Sequence, residues 1–132
     1  MKNVLLVDDN RMILNSLSTF LRLSLKDCNV FEADSGDRAI EIMKTSSINL
    51  ILTDLEMPNS GGYNVIEFAK KYHPSIPLMI MTGSWSLDLS ILVQKTGAVH
   101  VIEKPFRYED LADMTIKVLA GGNNTSTMTS PG

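Results

Sequence analysis

The sequence holds a single cysteine, Cys28, among its 132 residues. One thiol cannot form an internal disulfide, so a reducing, cytoplasmic setting is expected. Cys28 lies just before an expected strand and reads as a buried, inert thiol. With only 2 histidines in the chain, no Cys/His ligand set competes for zinc. No apolar stretch approaches the roughly 18 residues that a membrane span needs. The N-terminal run Val4–Val7 stops at two aspartates, so neither a signal peptide nor a membrane partner is expected. Basic clusters are missing too: 12 Lys and Arg against 15 Asp and Glu give a net charge of -3. Direct nucleic-acid binding by this segment is therefore not expected.

What is present suits one domain with a real core: 44% hydrophobic and 20% charged residues are ordinary for a globular protein. Short apolar runs alternate with longer amphipathic stretches five times. Val4–Val7, Val30–Ala33, Asn49–Thr53, Leu78–Met81 and Val99–Ile102 read as strands, the first continuous enough to be buried on both faces. After the first, Ile13, Leu14, Leu17, Phe20, Leu21 and Leu25 recur at helical spacing. Ser35 is placed to cap a second helix through Ala39, Ile40 and Met43. A loop with Pro58, Gly61 and Gly62 leads into a third, carrying Val65, Ile66, Phe68 and Ala69. The fourth runs from about Ser86 to Lys95 and stops at Gly97. The fifth sets Leu111, Met114, Val118 and Leu119 on one face. Five strand-then-helix units imply an α/β fold, a parallel sheet with helices on both faces. Residues 1–120 form that domain, and 121–132, rich in Gly, Asn, Thr and Ser, read as a flexible tail or the start of a linker.

The polar residues that interrupt the apolar runs share one place. Asp8 and Asp9 follow strand one, Asp54 ends strand three, Thr82 follows strand four and Lys104 follows strand five. In an open parallel α/β sheet these positions lie on one edge, where such folds build their sites. Taken singly, each has an ordinary structural reading. Asp8-Asp9-Asn10 can cap a helix, Thr82-Gly83 can be a turn, and Lys104-Pro105 an exposed charge before a bend. Taken together they can do chemistry. Crowded carboxylates repel, so either their pKa values rise or a cation sits among them. Oxygen ligands with room for water suit Mg2+. A carboxylate can also act as a nucleophile and become an aspartyl phosphate, if a metal and a fixed cation neutralise the developing charge. Lys104 can be that cation. The Thr82 hydroxyl can add a hydrogen bond, and Gly83 lets a backbone N–H approach a phosphoryl oxygen.

Four segments carry a family resemblance: Val4-Leu5-Leu6-Val7-Asp8-Asp9-Asn10, Asp54-Leu55-Glu56-Met57-Pro58, Met81-Thr82-Gly83 and Lys104-Pro105-Phe106, with Gly97-Ala98 before the fifth strand. In them the chain resembles the receiver domain of two-component response regulators, over about residues 2–120. The resemblance implies a flavodoxin-like, doubly wound five-stranded parallel sheet of order 2-1-3-4-5 with five helices. It implies that Asp54 is the phosphoacceptor, fed by a histidine kinase or a histidine phosphotransfer protein. Mg2+ would be held by Asp9, Asp54 and the main-chain carbonyl of Glu56, with Asp8 acting mainly through water. Lys104 would pair with the phosphoryl group, its bond to Pro105 would be cis, and Thr82 would move toward the phosphoryl oxygens. Such a domain catalyses its own phosphoryl transfer without being a conventional turnover enzyme. Its further partners would be an output domain or target protein, with a phosphorylation-dependent dimer among the expected states.

Several residues depart from the family pattern. Val101 stands where many members have an aromatic switch residue. Ser60-Gly61 replaces the usual Met-Asp before Gly62, which is expected to loosen the loop after Asp54. Glu56 carries a side chain close enough to steer or exclude water. The fourth helix, with Trp85, Leu87, Leu89, Ile91, Leu92 and Val93, is apolar on more faces than one sheet can bury. Either it sits deeper than usual, or it presents Trp85 and Leu87 to a partner. Three other functions compete. A flavin carrier needs a Ser/Thr/Gly loop after strand one, where Asp8 and Asp9 would repel a cofactor phosphate. Aspartyl-phosphate phosphatases resemble an Asp-x-Asp pattern that adjacent acids do not supply. A pseudo-receiver would bind a protein partner without phosphorylation.

Overall fold

Alternate residues along each strand serve two different cores. The computed structural model describes residues 1–84, 86–96, 99–121 and 126–128. Its strands are β1 (Lys2–Val7), β2 (Cys28–Ala33), β3 (Leu50–Asp54), β4 (Leu78–Thr82), β5 (Val99–Glu103) and β6 (Ser126–Met128). Its helices are α1 (Arg11–Ser24), α2 (Gly36–Thr45), α3 (Gly61–Tyr72), α4 (Leu87–Thr96) and α5 (Tyr108–Leu119), with a 3-10 turn at Pro58–Ser60. Leu5, Val7, Ile51, Leu78, Ile80, Val99 and Val101 face α2, α3 and α4. Val4, Leu6, Leu50, Leu52, Met79, Met81 and Ile102 face α1 and α5. Period-two geometry divides the apolar runs between the two faces, and that is why the runs of β1, β3 and β4 read as unbroken hydrophobic stretches.

All pairings are parallel, in the order β2-β1-β3-β4-β5-β6. The first five strands thus take the flavodoxin-like order 2-1-3-4-5, with five helices around them. The order reverses between β1 and β3, which opens a crevice at their carboxyl ends.

The elements differ from the sequence reading in instructive ways. Cys28 is the first residue of β2, half-buried, and its thiol donates to the Lys26 carbonyl at 3.3 Å. Burial, then the nearby Asp27 charge, pushes that thiol above its ordinary pKa. Gly61 and Gly62, expected in a loop, instead open α3 and are buried. The loosening expected at Ser60-Gly61 also meets close packing, because a side chain on Gly36 would strike the Gly61 carbonyl at 2.8 Å. The tail, expected to be flexible or a linker, contributes β6, which pairs with His100–Ile102 of β5. Three residues of Ser, Thr and Met show no alternation, so only the open β5 edge gives them a place.

α1 begins where the sequence suggested a cap. The Asn10 side chain accepts from the Met12 and Ile13 N–H groups at 3.1 and 3.2 Å, a cap of the kind that contributes about 1 kcal/mol. On α4, Leu89 is fully buried and Leu92 and Val93 pack against the core. Leu87 and Ile91, four residues apart and so on one face, are 76% and 43% exposed. Trp85, Gly97 and Ala98 lie outside the described residues. Among the described residues no helix is long and apolar enough to cross a membrane.

Candidate acidic phosphoryl-transfer site

β1, β3, β4 and β5 end on the same edge, and each ends in, or is followed directly by, a polar residue of the site. Asp8 follows β1, where its N–H donates to the Ala33 carbonyl at the end of β2 at 3.1 Å. Its carboxylate accepts the Asn10 N–H at 2.9 Å, so the capping turn of α1 also orients Asp8. Asp54 is the last residue of β3, paired with Met81 of β4. Asp8 and Asp54 are buried and Asp9 is exposed. One carboxylate oxygen from each of the three lies within 4.8 Å of the others.

Lys104 closes the pocket from the end of β5. Its N–H donates to the Thr82 carbonyl at 2.7 Å, and its bond to Pro105 is cis. The ammonium Nζ reaches Asp54 Oδ1 at 2.9 Å and Glu56 Oε2 at 3.6 Å. Asp54 Oδ1 also accepts the Glu56 N–H at 3.1 Å. Two donors on one oxygen fix the plane of the carboxylate.

The electrostatics follow from burial with too little cation. Loss of solvent raises Asp54 most; Lys104 offsets this in part, and Glu56 and Asp8 add to it, leaving a pKa of about 6. Burial likewise lifts Asp8, against the Asn10 N–H and Lys104. On Lys104, burial favours the neutral amine, but the bond to Asp54 and the surrounding carboxylates outweigh it, and its pKa rises. Crowded oxygen donors that hold their negative charge at a cost are what a hard divalent cation relieves. The carboxylates of Asp8, Asp9 and Asp54 therefore fit Mg2+.

Glu56 is where the sequence reading was least complete. Its Oε1 accepts the Thr82 hydroxyl at 2.7 Å and the Gly83 N–H at 2.5 Å. Burial pushes its pKa up, yet these two donors, with Asp54 and Lys104, bring the net shift below the usual value. The Gly83 N–H that was expected to meet a phosphoryl oxygen thus meets Glu56. A Cβ on Gly83 would lie 3.5 Å from Oε1, an ordinary contact, so nothing in this arrangement demands a glycine there. Val101 is fully buried in β5, inside the core facing α2, α3 and α4. Leu87 lies on α4, outside the pocket. No periodicity announces the Glu56 contacts; its position two residues beyond Asp54 was the one available signal.

Fold and site together define a class: a doubly wound α/β domain with an acidic, lysine-closed pocket at the carboxyl ends of its strands. The family model for the response regulator receiver domain matches residues 4–116, and the chain belongs to that family, the receivers of two-component response regulators. It is 32% identical over 120 residues to the transcriptional regulatory protein ZraR of Escherichia coli, covering 89% of this chain and 26% of that protein. It is 26% identical over 118 residues to the response regulator protein FleR of Pseudomonas aeruginosa, covering 89% and 24%. The chain thus spans about a quarter of these relatives' length. Among solved structures, a CheY-like receiver domain protein from Methanospirillum hungatei superposes with a TM-score of 0.81 at 28% identity, covering 91% and 94% of the two chains. A beryllofluoride-activated NtrC4 receiver domain dimer gives 0.76 at 34% identity, covering 90% and 96%.

Proposed function

We propose that this chain is a phosphorylation-dependent signalling switch of the cytoplasm, in which Asp54 accepts a phosphoryl group from a histidine kinase or histidine phosphotransfer protein. The observation that carries this reading is the 2.9 Å contact of Lys104 Nζ with Asp54 Oδ1 beside the Asp8 and Asp9 carboxylates. A carboxylate oxygen of Asp54 forms the new P–O bond while the donor's P–N bond breaks, and the electron pair leaves with the imidazole. Lys104 compensates charge that builds on the phosphoryl oxygens. Asp8, Asp9 and Asp54, with the Glu56 main-chain carbonyl, would hold Mg2+, which when bound supplies the second positive charge. Thr82, the last residue of β4, supplies a hydroxyl whose placement the phosphoryl charge rewards, biasing a two-state equilibrium. The domain promotes its own modification and is not a turnover enzyme.

Incubation with Mg2+ and a small acyl phosphate should add one phosphoryl mass to the intact protein. Asp54→Asn should add none, and a chelator should block the gain. Gain that persists in Asp54→Asn would overturn the assignment. No gain in the wild type would leave a phosphorylation-independent binding module as the better reading.

The family's self-association is a second element of the proposal, resting on exposed Leu87 and Ile91 of α4 and on the likeness to a dimeric activated receiver domain. Sedimentation should show a phosphoryl-dependent shift toward dimer that Leu87→Ser weakens. A strict monomer in both states would remove this element. Coupling to an output domain or target protein is proposed on the same family basis.

A further inference from the structure

The donors that a phosphoryl group on Asp54 would need are already engaged. The Thr82 hydroxyl and the Gly83 N–H both donate to Glu56 Oε1, and Lys104 Nζ stands 3.6 Å from Oε2. These groups come from the ends of β4 and β5, and Glu56 comes from the loop after β3, so two separate elements converge on the carboxylate of a third. That convergence is specific. The Thr82 hydroxyl has one proton, and its contact with Glu56 at 2.7 Å is shorter than its contact with the Ser84 carbonyl at 3.0 Å. Two donors on a single charged oxygen make a strong, oriented pair.

We infer that the Glu56 side chain is a built-in placeholder for the phosphoryl group, a positioning residue that holds Thr82, Gly83 and Lys104 ready and must be displaced when Asp54 is modified. The inference rests on the proposed phosphoacceptor role of Asp54. A carboxylate and a phosphoryl group are both anionic oxygen acceptors, so they compete for the same N–H and O–H groups. Glu56 therefore has two opposed effects. It keeps the Thr82 hydroxyl turned into the pocket before phosphorylation, and it sets a threshold that an incoming phosphoryl group must overcome. Glu56 is exposed on its outer side, so a displaced side chain can move to water.

The test is beryllofluoride binding in saturating Mg2+, measured by calorimetry, because this phosphoryl mimic binds without a chemical step. Glu56→Ala should bind it about tenfold more tightly than the wild type, as expected when a competing charge-assisted acceptor is removed. Glu56→Gln, which keeps the shape but loses the charge, should fall between the two. Mg2+ affinity, measured alone, should change far less than beryllofluoride affinity, since the proposed ligand at this position is the main-chain carbonyl. Equal or weaker beryllofluoride binding by Glu56→Ala, with Mg2+ binding retained, would overturn the placeholder role and leave the Asp54 assignment standing. A wild type that binds Mg2+ but no beryllofluoride would instead defeat the phosphoacceptor reading on which it rests.

Discussion

Gly62→Ala is expected to lose roughly 2–3 kcal/mol of folding stability, although alanine is the better helix former. The conflict is decided by position. Gly62 is the second residue of α3, where the propensity gain is at most about 1 kcal/mol. A Cβ there would stand 2.5 Å from the Asp54 carbonyl oxygen, 2.8 Å from the Leu55 Cα and 2.8 Å from the Leu55 carbonyl oxygen. All three are backbone atoms, fixed by β3 and its pairing, so neither side can yield cheaply. Whatever movement does occur displaces Asp54, and phosphoryl uptake should fall along with stability. Gly61→Ala is the control. Its Cβ would meet chiefly the end of the Met57 side chain at 3.3 Å, which can shift, so its stability should stay within about 1 kcal/mol of the wild type. Urea denaturation of both variants checks the pair. A Gly62→Ala protein as stable as Gly61→Ala would show that α3 does not sit as close to the strand end as described.

The same contrast explains what could be read in advance. Asp8, Asp9, Asp54, Thr82 and Lys104 were found on one edge because strand ends of a parallel sheet must coincide there, a consequence of topology alone. The strand order came through family likeness and is what the pairing shows. Gly61 and Gly62 read as a loop because low helix propensity marks one, and only the packing of α3 on Leu55 reveals why the helix accepts Gly62. α4 looked apolar all round; its contacts put Leu89 inside and leave Leu87 and Ile91 outside. Neither the rotamer of Glu56 nor the pairing of β6 leaves a periodic trace. Both depend on neighbours remote in sequence.

Asp54→Asn is expected to make the metal-free protein more stable at neutral pH, by about 1–3 kcal/mol. The sign follows from the raised pKa. In the fold Asp54 titrates at about 6, against an ordinary 3.8, so the folded state binds its proton more tightly than the unfolded chain. That preference favours folding below about pH 4, declines as pH rises toward 6, and leaves a deficit of about 3 kcal/mol above it. The amide of the variant carries no charge to desolvate and escapes the deficit. It still offers Lys104 an acceptor oxygen, and Lys104, with its side chain 34% exposed and Glu56 and Asp8 nearby, keeps solvent and counter-charge. Those partial losses set the lower end of the range. With a chelator present, the gap between variant and wild type should be small at pH 4.5 and open by pH 7, read as several degrees of melting temperature. Adding Mg2+ should then narrow or invert it at pH 7, because the cation stabilises only the fold that binds it, and a neutral amide is the poorer ligand. A gap that ignores both pH and Mg2+ would mean that the Asp54 carboxylate is neither strained by its burial nor part of a metal site.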